Sequence, residues 1–548
     1  MEHIRAQIVD VVHRRIYPGC VTIEGGSISS ITQEAGDGLP YLLPGFVDAH
    51  VHVESSMLVP AAFAQQAVVH GTVACVSDPH EIANVLGLDG IEYMLGNAAR
   101  QAFHFCFGAP SCVPATAFET AGAELNSGQV AALLQRPDIG YLSEMMNFPG
   151  VLHNDDEVYR KIAAARAVGK PIDGHAPGLT GSEAINYIKA NGRFGPDPVI
   201  TTDHECFSYE EALWKLQHGM HILIREGSAA KNFDALIPLL SQYPDRVMFC
   251  SDDKHPDDLL KSHINDLVRR AVEYGIPLWH VLQAACVNPV RHYKLSCGLL
   301  QPGDSADFVL VNNLNDFTPL ATYVRGVCVA REGTALLPYS PASVMNVFRC
   351  HFKKPEDFAV PCSGSRLRVI EVLDGQLITR SGYADPCCVA DKAVSNQETD
   401  LLKLTVVNRY FEARPAVAFV RGFGLRDAAL ASSVAHDSHN IVAVGTDDDL
   451  LCHAVNAVIA QKGGLAAVTP NAEAVLPLPV AGLMTTESCP AAAAQYEWLN
   501  RIAHAAGCRL RAPFMSLSFL ALLVIPELKL SDRGLFDGRT FQFTSLFF

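Results

Sequence analysis

The chain has no long apolar run. The longest, near Phe519 to Ile525, is far too short for a membrane span, which needs about 20 apolar residues. The N-terminus, Met-Glu-His-Ile-Arg-Ala-Gln, is polar and lacks the apolar region of a signal peptide. Basic blocks are missing too. The net charge is −16, from 42 basic and 58 acidic residues, and nothing resembles a surface that tracks phosphates, which excludes a nucleic-acid polymer as partner but not a single nucleobase. Sixteen cysteines are scattered, with Cys387-Cys388 adjacent and no Cys-x-x-Cys pair, so buried reduced thiols are expected rather than a zinc knuckle. No G-x-G-x-x-G follows a strand, which counts against a dinucleotide site, and no G-x-S-x-G surrounds a serine, which removes a Ser/His/Asp hydrolase. These absences predict a soluble, cytoplasmic protein without a membrane partner.

What is present is ordinary globular material, 548 residues that are 49% hydrophobic and 18% charged, enough for several cores and roughly three or four domains by length. The stretch Leu42 to His52 organises the rest. Pro44-Gly45 punctuates its entry, Phe46-Val47 has buried strand character, and it ends in His50 and His52. Strand side chains alternate faces, so the two imidazoles project together, with Val51 turned away, and can grip one borderline metal ion.

From Pro44 onward strand, polar loop and helix alternate. Strands are predicted over Gly71–Val76, Phe103–Phe107, Gly140–Glu144, Pro171–His175, Val199–His204, His221–Arg225 and Val247–Asp252, with helices such as Ala61–His70 and Asp156–Val168 between them. With the His50 strand this makes eight, the pattern of a closed (β/α)8 barrel, a doubly wound open sheet being the alternative. Barrel enzymes place chemistry at the C-terminal strand ends. Strand one ends in His50 and His52, strand four in Glu144, strand five in His175, strand six in His204 and strand eight in Asp252. Singly, each has an ordinary account as a loop acid, a hydrogen-bonded core histidine or a helix cap. Together, four imidazoles and two carboxylates on one rim call for a dication. Ile8–Val12, a hairpin over Gly19–Ile31 with a Gly-Gly turn, and the β-like pieces Gly303–Val311 and Ala321–Ala330 flank this region. They predict one small β-sandwich built from both sides of an inserted barrel, with segments 1–44, 45–298 and 299–345.

Residues 346–548 read as a further α/β domain. Asp385–Ala393 is expected to be a loop-like transition; Leu402–Asn408, Phe419-Val420, Ile441–Thr446 and Leu465–Val468 are strand-like, and Asp449–Gln461 is a helix ended by Gly463-Gly464. Gly445-Thr446-Asp447-Asp448-Asp449 lacks the spaced ligands of a calcium loop. The polar cluster His436 to Asn440 is either structural or completes the barrel mouth.

The chain resembles the amidohydrolase superfamily through Pro44 to His52, the later strand-end residues His175, His204 and Asp252, Asn288-Pro289 and Gly298 to Asp307. Within it the resemblance is to the adenine deaminase family, carried by His50 to Met57, Asp78 to Val85, Met145 to Val151, Asp173 to Pro177, Thr202 to Glu205, Ser251 to Lys254, His439 to Ile441, Leu476 to Met484 and Ile525 to Gly534. It covers nearly the whole chain. It implies a metal-dependent barrel with a binuclear centre: one ion on His50, His52 and Asp252, a second on His175 and His204, and Glu144 bridging where many relatives use a carboxylated lysine, which is absent here. Ligation by N and O without thiolate suits Mn2+, Fe2+ or Zn2+, and the resemblance favours Mn2+ or Fe2+. It implies adenine as substrate and hypoxanthine and ammonia as products, with a cyclic amide or another aminopurine as the alternative, a non-enzymatic binding module as a third reading, and a homodimer. Asp252 is the expected proton acceptor; Asp252, Glu205 and His80 are candidates for the acid, and Glu144 completes the catalytic set. Glu54, Ser55, Arg225, Glu226 and Ser228 are expected to contact substrate, with Ser56 and Asp78 also near the mouth and Met145, Met146 or Phe148 as an apolar wall.

Overall fold

Eight parallel strands ring the middle of the chain. In a computed structural model, which describes residues 2–338 and 342–548, they are β1 (Phe46–Val51), β2 (Thr72–Ser77), β3 (His104–Ala109), β4 (Ile139–Met145), β5 (Ile172–Gly174), β6 (Thr202–Asp203), β7 (His221–Arg225) and β8 (Val247–Cys250). β1 to β5 pair in sequence order, as do β6 to β8. Two seams close the ring. The Thr201 N–H donates to the Ile172 carbonyl at 2.9 Å, and the Asp252 N–H donates to the His50 carbonyl at 2.9 Å. Closure leaves no unpaired sheet edge. Ala49, Val76, Tyr141, Leu223, Met248 and Cys250 fill the interior. Beside them the buried Asp48 carboxylate accepts the Ser251 N–H at 2.9 Å and meets His263 Nε2 at 2.8 Å, locking strand one to strand eight. The strands match the expected stretches to within a few residues. The sixth is the shortest, two residues where six were expected, because the Val199 and Ile200 N–H groups turn to the Ile188 carbonyl instead of the ladder although both side chains stay buried.

The flanking strands join in one eight-stranded sheet rather than two separate layers. Tyr41–Pro44 lies between Glu2–Asp10, to which it is parallel, and Phe308–Val311, to which it is antiparallel, so both sides of the barrel insertion meet there. The sheet curls over a core that includes Ile8, Val21, Leu42, Phe308 and Tyr323. One edge strand, Ser27–Gln33, is tied to the loop before Phe308–Val311, where the Ile28 N–H donates to the Asp304 carbonyl at 2.9 Å and the Ala306 N–H to the Gly26 carbonyl at 2.9 Å. The turn at Gly25 (φ 59°) and Gly26 (φ 83°) needs the left-handed backbone that only glycine adopts freely.

The C-terminal region holds a second eight-stranded sheet, in the order Thr379–Ala384, Leu367–Val372, Ala416–Arg421, Leu402–Val407, Ile441–Gly445, Ala429–Ser432, Gly464–Thr469, Ala472–Pro477. Strand alternation gives it two buried faces. Ile441 and Ala443 pack under the helix Asp448–Ala460, while Val442 and Val444 join the core continuous with the barrel. Two expectations are corrected here. Asp385–Ala393 is not a loop: Cys387–Val389 and Lys392–Val394 pair as a hairpin whose turn puts Ala390 (φ 47°) and Asp391 (φ 60°) in the left-handed region, a conformation that alanine does not advertise. Nor are all the cysteines free thiols, since Cys362 and Cys388 are paired as a disulfide. Among the described residues no helix is long and apolar enough to cross a membrane.

Candidate metal centre

β1 delivers His50 and His52 to the C-terminal mouth of the barrel, their Nε2 atoms 3.2 Å apart. The His204 ring stacks on that of His50 at 4.0 Å between centroids. Glu144, at the end of β4, is shared: Oε1 lies 3.3 Å from His52 Nε2, and Oε2 lies 2.8 Å from His175 Nδ1 and 3.2 Å from His204 Nε2. Asp252 Oδ1 is 3.2 Å from His52 Nε2 and 3.5 Å from His50 Nε2. Its φ of 53° turns the chain directly after β8. All six residues expected as ligands are therefore buried in one cluster, and all but His50 line the cavity beside it.

The donor chemistry fits a divalent cation. His52 Nδ1 lies 3.2 Å from the Asp78 carbonyl and can only donate to it, which leaves Nε2 as a lone pair aimed at His50, Glu144 and Asp252. His50 Nδ1 and His175 Nε2 are buried without a hydrogen-bond partner. A knot of lone pairs and carboxylates in a dry site is stable only around positive charge. The buried acids and imidazoles also bias one another's protonation. Burial alone would push the Glu144 carboxyl up, yet His175 and the neighbouring imidazoles hold it well below the usual range. Burial opposes a charge on His204 as well, and Glu144 raises it to about 9. Asp252 is likewise held low against its burial, chiefly by Arg225.

Support comes from beneath. Arg225 Nη1 donates to Asp252 Oδ2 at 2.7 Å and pairs with Glu205. Lys215 Nζ donates to Asp203 Oδ2 at 2.9 Å, Glu211 Oε1 at 2.7 Å and the Ala176 carbonyl at 2.7 Å, fastening the turns that carry His175 and His204. Asp78 holds His80 Nδ1 at 3.0 Å, and the same nitrogen is 3.5 Å from Glu144 Oε1.

The cavity wall includes His80, Glu205, Asp252 and Met146 from the barrel, together with Glu81 and Asp253. The residues expected to contact substrate are placed elsewhere. Arg225 lies behind Asp252. Glu226 pairs with Lys231 at 3.2 Å and Arg270 at 2.9 Å, and Ser228 donates to Asp258 at 2.7 Å. Glu54 accepts the Ile82 N–H at 3.3 Å, and Ser55 donates to Asp253. None of these five lines the cavity. Its roof is instead C-terminal: Leu377, His436, Asp437, Phe519, Leu522 and Ile525. In the sequence, His436 and Asp437 stood in a polar cluster read as structural or as completing the barrel mouth, and Phe519 to Ile525 showed only as an apolar run.

Comparison with known proteins follows the same division. The Amidohydrolase family matches residues 41–329, and the Adenine deaminase C-terminal domain matches residues 376–542. Over 548 residues the chain is 54% identical to an adenine deaminase of Salinibacter ruber, covering 99% of this chain and 98% of the relative. The chain belongs to the adenine deaminase family. Further members of this family include proteins named adenine deaminase from a Sulfurovum species, 52% identical with 98% of each chain covered, and from Methanosarcina barkeri, 47% identical with 100% of each covered. The adenine deaminase family sits within the metal-dependent amidohydrolases, in keeping with the buried His/Asp/Glu cluster.

Proposed function

We propose that this chain hydrolyses adenine to hypoxanthine and ammonia. The observation that carries the reading is the convergence of four imidazoles and two carboxylates on one barrel mouth in a chain of this family over nearly its full length. His50, His52 and Asp252 would hold one divalent ion, His175 and His204 a second, with Glu144 shared between them; Mn2+ or Fe2+ is the preferred pair and Zn2+ also suits the N/O donor set. Such ions supply a water acidic enough to ionise near neutral pH.

The chain's own groups do the rest. Asp252 is kept anionic by Arg225 and offers Oδ1, the oxygen turned toward His50 and His52, to the water's proton. Attack at C6 of the purine places charge on the adjacent ring nitrogen, which needs a proton. His80 lines the cavity, and although burial disfavours its charge, Asp78 and Glu81 raise its pKa well above the ordinary imidazole value, so it holds a proton to give. Glu205 is the second candidate donor. Met146, Leu377, Phe519, Leu522 and Ile525 supply apolar walls for a flat ring and exclude water. The proton taken up by Asp252 passes to the amine, which leaves as ammonia; the C6 hydroxyl returns its proton to the acid as the carbonyl forms, and hypoxanthine keeps the proton on its ring nitrogen.

The test is ammonia release by protein loaded with Mn2+, Fe2+ or Zn2+, using adenine, other aminopurines and cyclic amides. Hypoxanthine appearing with one equivalent of ammonia is expected. Metal-loaded protein that releases no ammonia from adenine overturns the reading.

A further inference from the structure

The C-terminal region brings more than a lid to the cavity. His436 and His439, on the turn before the strand Ile441–Gly445, both reach Glu81 on the barrel helix His80–Leu86, across sequence separations of 355 and 358 residues. His436 Nδ1 meets Glu81 Oε1, and His439 Nε2 meets Glu81 Oε2. Two imidazoles and a carboxylate also make a metal-ligand set, but the tautomer decides against it. The Ala435 N–H donates to His439 Nδ1 at 3.3 Å, so the His439 ring proton sits on Nε2 and is given to Glu81. Glu81 is a hydrogen-bonded anchor, and of the two C-terminal imidazoles it holds, that of His436 faces the cavity while that of His439 does not line it.

That partner is His436. Its ring stacks on Phe519 with centroids 4.4 Å apart and planes 13° from parallel, which fixes the ring plane. With Nδ1 tied to Glu81, Nε2 is the only polar atom left in a side chain that lines the cavity. Burial opposes a charge on this ring, but the Glu81 carboxylate beside it raises its pKa to about 9, so the ring is an imidazolium near neutral pH and Nε2 keeps an N–H to donate while Nδ1 donates to Glu81. Adenine offers ring nitrogens with lone pairs on the edges away from the reacting carbon, and none of Glu54, Ser55, Arg225, Glu226 and Ser228 lines the cavity to meet them. We infer that His436, oriented by Glu81, donates a hydrogen bond to a purine ring nitrogen, so that the C-terminal region forms part of the substrate site. This rests on adenine being the substrate.

The experiment compares adenine, 3-deazaadenine and 7-deazaadenine on metal-loaded wild-type, His436→Ala and Glu81→Gln proteins, with metal content measured on each. His436→Ala should lower kcat/KM for adenine by about 10- to 100-fold, mainly through KM, with metal content unchanged. For the analogue lacking the contacted nitrogen, wild-type and variant should differ by less than about threefold. Glu81→Gln, which keeps the shape but weakens the anchor, should give a smaller loss with the same analogue pattern. An equal loss on all three purines, or no loss, overturns the role of His436. Wild-type protein inert toward adenine sinks the substrate assignment instead.

Discussion

At Glu144 burial and charge pull in opposite directions, and charge wins: desolvation raises the carboxyl, and His175, His204 and His52 together bring it far below the usual value. The carboxylate is therefore anionic at any working pH and available to two cations. Glu144→Gln keeps the shape and removes the charge, so it should lower metal content at both positions and reduce kcat/KM by more than about a hundredfold, read by metal analysis beside steady-state kinetics. Arg225 acts one layer down. Arg225→Met leaves Asp252 and Glu205 buried without their cation, at a cost of about 3–5 kcal/mol in stability. The Asp252 pKa then rises, and because the base must be ionised, the acid limb of the pH–rate profile should move to higher pH. Lys529 behaves in the opposite sense to a paired lysine. Burial lowers it from 10.5 to about 7, although its Nζ donates to the Leu377 and Phe519 carbonyls at 2.8 and 2.9 Å. Above pH 7 the unfolded chain binds a proton that the folded chain does not, so this group destabilises most below pH 7 and is relieved as pH rises toward 10. Lys529→Met should therefore shift Tm most favourably at pH 6 and progressively less by pH 9; a shift independent of pH contradicts the buried charge.

β1 is the element on which the centre rides. Its two histidines were legible because the period of a strand is two and no other spacing puts both rings on one face. Its entry was legible too, from Pro44-Gly45, but not why glycine is required. A Cβ on Gly45 would stand 2.3 Å from Val73 Cγ1, where the strand packs against β2. Gly45→Ala should cost about 1–3 kcal/mol and lower Tm by several degrees, and it should weaken metal binding because His50 and His52 move with the strand. Elsewhere local pattern misled. The hairpin Cys387–Val394 was hidden by an Ala-Asp turn at positive φ, and β6 reaches only Thr202–Asp203 because burial, which hydrophobicity reports, is not the same as ladder pairing.

In the whole molecule, barrel and C-terminal region share one apolar core. Met57, Leu58 and Met146 pack in the same cluster as Leu404, Val480, Leu483 and Leu517. Polar ties cross the same boundary: the Thr485 N–H donates to the Met57 carbonyl at 2.8 Å, and His255 Nδ1 meets the Tyr496 hydroxyl at 2.6 Å. A chain ending at residue 345 loses the cavity roof and exposes a continuous apolar face, so it should aggregate or bind a hydrophobic dye while failing to retain metal. A soluble, metal-loaded truncated chain would show that the two regions are energetically independent.

The barrel and the six His, Glu and Asp residues gathered at its mouth were determined by the sequence itself, because each strand–helix unit and each strand end is a local pattern repeated along the chain. The lining of the cavity was decided only by the tertiary structure. Glu226 and Ser228 occupy strand-end positions as promising as that of His204, yet they turn to Lys231, Arg270 and Asp258. His436 arrives from 355 residues beyond Glu81. Periodicity records which face of an element is buried, but not which distant element buries it, and at this mouth the distant element supplies the roof.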